Sequence, residues 1–575
     1  GYVLVALFLA PYLRKFGQYT IPDFLGARYG GHAARSVGVA VAIMCSFVYL
    51  VAQIYGVGLI TSKLTGLSFG EGVFVGLAGI LVCSFLGGMR AVTWTQVAQY
   101  IILILAYMIP VIWLSAKHTG NPLPQVAYGT VLEKVSAREE ALLKDPKEIE
   151  VRKIFADRAD AAELMLAGFP RSFEEGRAQA QRALDQAKGR RAPTEQIAAA
   201  QKAVDTYPKD ANAAKLAWSK DLALRGRTAP PQRHAEAFPA ESEVAKSASR
   251  RNFLALVFCL MMGTAALPHI LTRYYTTPSV KEARESVVWS IFFITLLYIT
   301  APALAVMVKF DIYSMLVGSE FSKLPAWVNS WARVDPTLLS ITDINRDGIV
   351  QLAEILIGSD IVVLATPEIA GLPYVISGLV AAGGLAAALS TADGLLLTIA
   401  NALSHDVYYK MLKPDASTTM RLSVSKALLL FVAMLAAYVA ARKSADILFL
   451  VSAAFSLAAA GFFPALVLGI FWKRATSTAA IVGMFSGVAI TFYYMATTYP
   501  WLRGLFGVTG SIASHTWWDM SPISAGVFGV PLGFAVIIVV SLFTRSPTAE
   551  AQALADFVRY PRLPSTASDP GPNTK

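Results

Sequence analysis

The sequence has few charged residues and very few cysteines. Asp, Glu, Lys and Arg make up 15% of its 575 residues, whereas soluble globular domains have about 25%. This shortage, with 55% hydrophobic residues and a mean hydropathy of +0.51, excludes a chain of soluble domains and an intrinsically disordered protein. Cys45, Cys83 and Cys259 each lie in an apolar run. They are predicted to be small buried side chains rather than a disulfide or a metal site.

Motifs of soluble enzymes and of selective pores are also missing. The sequence contains no H-E-x-x-H, no G-x-S-x-G and no G-x-x-x-x-G-K-[ST], which argues against a metalloprotease, a serine hydrolase and an ATP-driven pump. It has no T-V-G-Y-G filter, which weakens the interpretation as an ion channel. A membrane-embedded enzyme has no nucleophile–base pair that we can place, so no enzyme activity is expected.

The charge that is present is concentrated in one region. Residues 121–250 hold 22 Lys and Arg and 19 Asp and Glu, or 41 of the 89 charged residues. The excess of positive charge there is only 22 − 19 = 3, which argues against a nucleic-acid surface. The chain is therefore a very apolar body that carries one polar insertion.

Apolar runs long enough to cross about 30 Å of hydrocarbon recur along this body. Residues 1–13 resemble the end of one such run, so the sequence predicts eleven crossings and an all-α polytopic membrane protein. The other ten predicted spans are 36–60, 71–88, 96–115, 252–272, 287–308, 373–400, 426–442, 446–471, 478–498 and 522–543.

Short basic loops alternate with loops of other composition. If the spans alternate in direction, the basic loops share one side of the membrane, which the positive-inside rule assigns to the cytoplasm. The insertion is then outside and the C-terminal tail is cytoplasmic. The basic loop residues are Arg14, Lys15, Arg28, Arg35, Arg90, Arg273, Lys281, Arg284, Lys410, Lys413, Arg421, Lys426, Lys473 and Arg474.

Four regions follow from this organisation. Residues 1–115 and 251–543 form the two parts of the transmembrane core, separated by the polar insertion 116–250. The insertion is rich in Ala, Glu, Lys, Gln and Arg, which predicts an exposed helical bundle or hairpin that is partly disordered, with breaks near Pro170, Gly189, Pro193 and Pro208. The tail, 544–575, is predicted to be disordered.

Polar side chains inside the spans are the candidates for a binding site. Ser390 and Thr391 lie in a stretch of small residues, and their adjacent hydroxyls can bind a monovalent cation. The alternative is helix packing, in which the small residues let helices approach closely and the hydroxyls bond back to their own helix. Gln53, near Tyr49, is an amide in mid-span that is either functional or an interhelical contact. Gly263, before Thr264, is a glycine that can break a span and expose backbone groups to a solute.

Several spaced segments resemble the sodium:solute symporter family, and they occur in the same order as in that family. Within it, the chain resembles the acetate/monocarboxylate-type bacterial branch that has a long polar insertion. The segments that carry the resemblance are 14–24 (RKFGQYTIPDF) with Arg28-Tyr29, 87–96 (GGMRAVTWTQ), Leu267-Pro268-His269 with Arg273-Tyr274, and Gly461-Phe462-Phe463-Pro464 with Gly469 and Trp472-Lys473-Arg474.

The resemblance implies a leucine-transporter-type fold of two inverted repeats with a mid-membrane site. It assigns 373–400 to the eighth core helix and the family's sodium site to the carbonyl of Ala387 and the hydroxyls of Ser390 and Thr391. Many relatives have Asp at the position of Gln96, so an acidic role there is lost. The resemblance also places the first core helix before Gly1, so we expect the sequence to be N-terminally truncated and two further spans to precede it.

Residues 343–354 (DINRDGIVQLAE) match the calcium-binding loop of an EF-hand at every key position. Asp343, Asn345 and Asp347 supply side-chain oxygens, Ile349 supplies its carbonyl, and Glu354 supplies two oxygens. The alternative is a polar turn that caps a helix starting near Gln351. The predicted topology places this loop outside, where calcium is plentiful.

Together these observations predict a sodium-coupled symporter in the bacterial inner membrane that imports a small solute, most simply a monocarboxylate such as acetate. Its solute-binding candidates are Tyr49, Gln53, Gly263 and Thr264. The alternative is a solute sensor with a transporter fold and no net transport, which needs an output domain that the 32 residues after Phe543 do not offer. The identity of the solute, coupling by sodium or protons, and the oligomeric state are left open.

Overall fold

A computed structural model describes residues 1–560 except 18, 241 and 444, and at residues 83 and 85–92 it describes the backbone only. The first part of the chain forms α1 (Tyr2–Leu4), a π-helical segment (Val5–Leu9), α2 (Ala10–Phe16), α3 (Ile21–Tyr29), α4 (Gly31–Thr65) and α5 (Phe69–Thr119). The insertion forms α6 (Pro124–Lys144), α7 (Pro146–Ala167), α8 (Arg171–Gly189), α9 (Thr194–Thr206), α10 (Ala211–Ala223) and a 3-10 turn (Leu224–Arg227).

The second part begins with α11 (Glu243–Thr264), α12 (Pro268–Tyr275), α13 (Val280–Tyr298), α14 (Ala301–Met315), a 3-10 turn (Phe321–Lys323) and α15 (Ala326–Val334). A two-stranded antiparallel sheet follows, with β1 (Leu339–Ile341), a 3-10 turn (Leu352–Glu354) and β2 (Ile355–Ile357). Next are α16 (Ser359–Ile369), α17 (Tyr374–Asn401) with a π-helical extension (Ala402–Leu412), and α18 (Thr418–Ala441). The chain continues with α19 (Ile447–Phe471), α20 (Ser477–Thr498), α21 (Pro500–Leu505), 3-10 turns (Ala513–His515, Pro522–Ser524), α22 (Gly526–Phe543) and α23 (Ala549–Arg559).

Within the described residues, nine helical segments are long and apolar enough to cross a membrane, which confirms the prediction of an all-α polytopic membrane protein. The predicted spans 71–88 and 96–115 both fall within α5. Its two apolar stretches are Phe69–Val82 and Thr93–Thr119. Lys63, just before α5, pairs with Glu368, and Lys117, near the end of α5, donates to the carbonyl of Ala370, so both ends of α5 lie at the same end of the bundle.

Small residues on α17 and α19 allow close packing at the centre of the bundle. The helix α17 packs against α4 and α5, and α19 packs against α4, α11 and α22. A Cβ placed on Gly383 would lie 2.3 Å from the Cβ of Ala106 on α5, so only glycine allows this approach. The central helices are therefore held by shape complementarity, as expected where lipid provides no hydrophobic drive.

The span that contains Gly263 is broken, as its sequence suggested. The helix α11 ends at Thr264 and α12 begins at Pro268, where proline suits the first helical turn because it needs no backbone donor. At Gly263, a Cβ would lie 2.6 Å from the carbonyl oxygen of Phe455 on α19. The glycine thus permits close contact at the break. The N–H groups of residues 265–267 donate to the carbonyls of Met261 and Gly263, and all three residues are buried.

The insertion has a helical structure over most of its described length, where we had expected partial disorder. The helix α8 follows Pro170 and ends at Gly189, and α9 follows Pro193, so the helix ends lie at the predicted breaks. The helix α6 packs against α14 and α5. There the buried carboxylate of Glu139 accepts a hydrogen bond from Lys309 at 2.5 Å, which joins the insertion to the membrane core.

The prediction of a disordered tail from residue 544 is wrong for residues 549–559, which form α23. Its Ala555 and Val558 side chains are buried, and α23 packs against α2, α3 and α19. Asp556 pairs with Lys473 at 2.6 Å. The polar composition of this segment did not reveal an amphipathic helix, because a helix needs only a narrow apolar stripe to pack against its neighbours. Residues 561–575 lie outside the described residues.

The buried guanidinium of Arg28 caps the C-terminal end of α19. Its Nε and Nη2 donate to the carbonyl oxygens of Gly469 and Trp472 at 2.7 and 3.0 Å. Replacing Arg28 by Ala is expected to lower the free energy of unfolding by about 2–3 kcal/mol, because buried carbonyls lose a charged donor. Thermal unfolding in detergent measures this effect. The exposed Arg284→Ala variant serves as the control, and an equal midpoint for both variants would contradict the assignment.

Candidate functional site

The three predicted sodium ligands lie on one turn of α17. The hydroxyls of Ser390 and Thr391 both donate to the carbonyl oxygen of Ala387, at 2.9 and 3.3 Å. The three oxygens therefore converge, and both hydroxyl side chains are only partly buried. A hydroxyl that donates its proton to its own helix keeps oxygen lone pairs for a cation. The same bonds also occur in ordinary helix packing, so the sodium site stays a prediction.

Gln96 lies directly beside this oxygen cluster. Its Nε2 donates to the backbone carbonyl oxygen of Ser390 at 2.5 Å, which ties α5 to α17. Because the amide is neutral, it adds no charge to a bound cation. The structure thus shows a direct contact between Gln96 and the turn that carries the predicted ligands.

The predicted solute-binding residues lie around the break between α11 and α12. The ring of Tyr49 on α4 packs edge-on against Phe455 and His269, with centroids 5.7 and 5.6 Å apart. The backbone at Gly263 contacts the same Phe455. Thr264 bonds its hydroxyl back to Leu260 at 2.7 Å. Three of the four candidates therefore share one neighbourhood, and no described side chain hydrogen-bonds the fourth, Gln53.

A buried acid that the sequence analysis did not single out lies one turn further along α17. The Asp393 side chain has 0% relative exposure, and the hydroxyl of Ser84 on α5 donates to its Oδ1. Its Oδ2 has no hydrogen-bond partner among the described residues. An acid inside a span is costly and usually functional, so its position in the predicted span was the signal that could have identified it.

A second cluster, which we call the inner cluster, joins α3 to the end of α17. Asp23 accepts hydrogen bonds from Arg35 and pairs with Nε2 of His405, both at 3.1 Å. The buried Asp406 accepts from Thr20 at 3.1 Å. Two carboxylates and an imidazole within 4.8 Å of one another have the donor types of a metal site. Here, however, the guanidinium of Arg35 supplies the positive charge that they need.

The EF-hand-like loop is closed by carboxylates. Glu354 accepts from the backbone N–H groups of Ile344 and Gln351 at 2.7 and 3.0 Å, and Asp343 accepts from Gly348 at 3.1 Å. Gly348 has φ +75°, which provides the sharp turn that such loops need. Burial raises the pKa of Glu354, and the neighbouring carboxylates of Asp343 and Asp347 raise it further. The loop therefore holds three carboxyl groups close together.

Two further features bear on calcium. The Oδ1 atom of Asp343 is buried and has no hydrogen-bond partner among the described residues, as expected for an atom whose partner is an ion. The loop lies between β1 and β2 rather than between two helices, and residues 352–354 form only a 3-10 turn. The alternative, a polar turn that caps a helix starting near Gln351, stays open: Gln351 precedes this 3-10 turn, and Glu354 accepts from its N–H group as in a capping box.

The insertion docks directly on this loop. Both carboxylate oxygens of Glu148, at the start of α7, accept hydrogen bonds from backbone N–H groups, from Leu352 and from Ala353, the latter at 3.2 Å. The Glu148 side chain is fully buried, and this burial raises its pKa. The contact joins the insertion and the loop at one end of the protein, which the predicted topology assigns to the outside.

Comparison with known proteins decides the family. The profile of the sodium:solute symporter family matches residues 1–141 and 358–487. A Cupriavidus necator protein described as an uncharacterized symporter is 51% identical over 566 residues, which are 97% of this chain and 82% of the relative. The chain belongs to the sodium:solute symporter family. A monocarboxylic acid transporter of Corynebacterium glutamicum is 22% identical over 543 residues, 92% of this chain and 75% of the relative.

A solved structure agrees with this assignment at the level of the fold. A Na+-coupled sialic acid symporter, in a substrate-bound outward-open state with a novel Na+ site, superposes with a TM-score of 0.52 and 15% sequence identity. The match covers 95% of this chain and 81% of that chain. This symporter-family protein therefore has the leucine-transporter-type fold that its motifs implied, and it is a sodium-coupled membrane transporter rather than an enzyme.

Proposed function

We propose that this protein imports a small monocarboxylate, such as acetate, together with sodium across the bacterial inner membrane. The observation that carries the proposal is the convergence of the Ala387, Ser390 and Thr391 oxygens beside the broken helix pair α11 and α12. In this fold, helices that are broken at mid-membrane line the solute and ion sites. The class of solute is supported by the relative that transports monocarboxylic acids.

The driving force is the inward movement of sodium. One positive charge that crosses the membrane releases about 2.3 kcal/mol per 100 mV, in addition to the concentration term. A carboxylate that enters against this potential needs at least one sodium ion to cancel its charge. The orientation rests on the basic loops, which place the ends of α2, α12 and α19 in the cytoplasm.

The purified protein in liposomes is expected to accumulate labelled acetate, propionate or pyruvate when a sodium gradient is directed inward. A potassium gradient of the same size is expected to give background uptake, since members of this family couple transport to sodium. Proline and glucose serve as solutes of other classes. Sodium-dependent binding without uptake would favour the sensor, and uptake driven equally by a proton gradient without sodium would contradict sodium coupling.

We also propose that the loop 343–354 binds calcium at the outer end of the protein. The loop has the full set of ligand types, namely Asp343, Asn345, Asp347, the carbonyl of Ile349 and Glu354. A second support is that Oδ1 of Asp343 is buried without a hydrogen-bond partner among the described residues. Three carboxylates offset the charge of the ion, and extracellular modules of this type bind calcium at about 10⁻⁴–10⁻³ M. The ion would stabilise the loop on which the insertion docks.

A further inference from the structure

A cavity lies between the start of α3, the helix α12 and the C-terminal half of α17. It has a volume of about 220 Å³. One water molecule occupies about 30 Å³ in the liquid, so the cavity holds a solute of a few heavy atoms together with some water. Ile21, Leu397 and Ala402 supply an apolar wall, while Thr272 and Asn401 supply polar groups.

Arg273 is the only charged residue among those that line this cavity. No hydrogen bond or ion pair joins its guanidinium to any described residue, although it is a strongly donating group with five N–H bonds. A cationic side chain in an apolar bundle is costly unless it is paired or faces a water-filled path. The cavity thus contains an available donor that matches an anion.

His269 provides a second, independent group in the same cavity. It precedes Arg273 by one helical turn on α12, so both side chains lie on one face of that helix. Its Nδ1 is buried and has no hydrogen-bond partner among the described residues. A buried ring nitrogen without a partner indicates that a ligand or water completes the site.

Asp393 is the nearby acid that could neutralise Arg273 instead. No ion pair within 4.0 Å joins the two groups among the described residues, and Oδ2 of Asp393 has no hydrogen-bond partner there. Asp393 is held from the other side by Ser84. The guanidinium therefore keeps its donors for a ligand.

We propose that Arg273 and His269 bind the carboxylate group of the transported solute in this cavity before its release to the cytoplasm. The cavity's side follows from α12, which leads into the basic loop where Arg14 donates to the carbonyl of Pro278 at 2.9 Å. Guanidinium donors favour a planar carboxylate bound through two parallel hydrogen bonds. The apolar wall accommodates a short alkyl chain. This inference rests on the proposed monocarboxylate transport and adds the residues that recognise the charge.

The test measures exchange of internal acetate in liposomes with matched sodium on both sides. Arg273→Gln is expected to raise the KM for internal acetate about tenfold to a hundredfold, the loss expected when a charged donor is removed. Arg273→Lys is expected to show a smaller increase, since it keeps the charge but not the two-pronged geometry. Acetamide, which has acetate's shape without its charge, is expected not to exchange.

Arg284→Gln removes an exposed charge at the same end of the protein and is expected to leave the KM unchanged. The Asp393→Asn substitution tests whether Arg273 recognises the solute or only balances the charge of Asp393. If Arg273 only balances Asp393, the double variant Arg273→Gln/Asp393→Asn recovers the wild-type KM, and that result overturns the inference. Continued elevation of the KM in the double variant supports it.

Two outcomes distinguish this inference from the proposed function. The inference alone is overturned if the wild-type protein exchanges acetate and the folded variants Arg273→Gln and Arg273→Lys have the wild-type KM. A wild-type protein that transports only neutral solutes overturns both. If Arg273→Gln does not give a monodisperse protein, Arg273→Lys and His269→Asn decide the question, and wild-type KM values in both contradict the site.

Discussion

Replacing Ser390 and Thr391 together by alanine is expected to raise the sodium concentration for half-maximal uptake by about tenfold or more. Each hydroxyl contributes an interaction with a charged partner of about 1.5–3 kcal/mol, and 1.4 kcal/mol corresponds to tenfold. The backbone carbonyl of Ala387 remains in the variant, so some sodium binding is expected to persist at high concentration. Initial uptake rates as a function of external sodium measure the change.

A matched control separates sodium binding from helix packing. Thr491 on α20 also donates its hydroxyl to a carbonyl one turn earlier, that of Gly487 at 2.8 Å, and it is fully buried. Thr491→Ala is expected to alter thermal stability without altering sodium activation. Thr391→Ser keeps the oxygen and is expected to keep sodium activation. Unchanged sodium dependence in a folded double alanine variant would remove Ser390 and Thr391 from the site.

Calcium is expected to stabilise the purified protein against thermal unfolding, and the Glu354→Gln variant is expected to lose this response. With a Kd of about 0.5 mM, calcium at about 5 mM adds about 1.4 kcal/mol to the free energy of unfolding. Asp343→Asn is expected to have a similar effect, because it removes the negative charge of the carboxylate whose Oδ1 has no hydrogen-bond partner among the described residues. The measurement is the difference in unfolding temperature between calcium and a chelator, made separately for each variant.

The same ion is expected to control how firmly the insertion is docked. The buried Glu148 bonds to the backbone of residues 352 and 353, so loosening of the loop weakens this contact. Chelation is therefore expected to increase proteolytic cleavage within 116–250. Glu320→Gln, which changes an exposed acid near the loop, is expected to retain the calcium response. Equal cleavage and equal unfolding temperatures with and without calcium would count against the site.

Much of this architecture could be predicted because the signals are local. The hydropathy of about twenty consecutive residues identifies a span, and the spacing of Asp343, Asn345, Asp347 and Glu354 lies within one loop. The tail was predicted wrongly because the burial of Ala555 and Val558 depends on a surface formed by α2, α3 and α19.

The sequence by itself determined the membrane class, the family, the polar insertion, the hydroxyl pair on α17 and the EF-hand-like pattern of the loop. Only the tertiary structure placed Ser84 against Asp393, which are 309 residues apart, and Glu148 against Leu352, which are 204 residues apart. Around one cavity, it also left the Arg273 guanidinium and Nδ1 of His269 without a hydrogen-bond partner among the described residues. The physical reason is that hydropathy and ligand spacing depend on neighbours in the chain, whereas a buried charge acquires or lacks a partner only when distant helices pack.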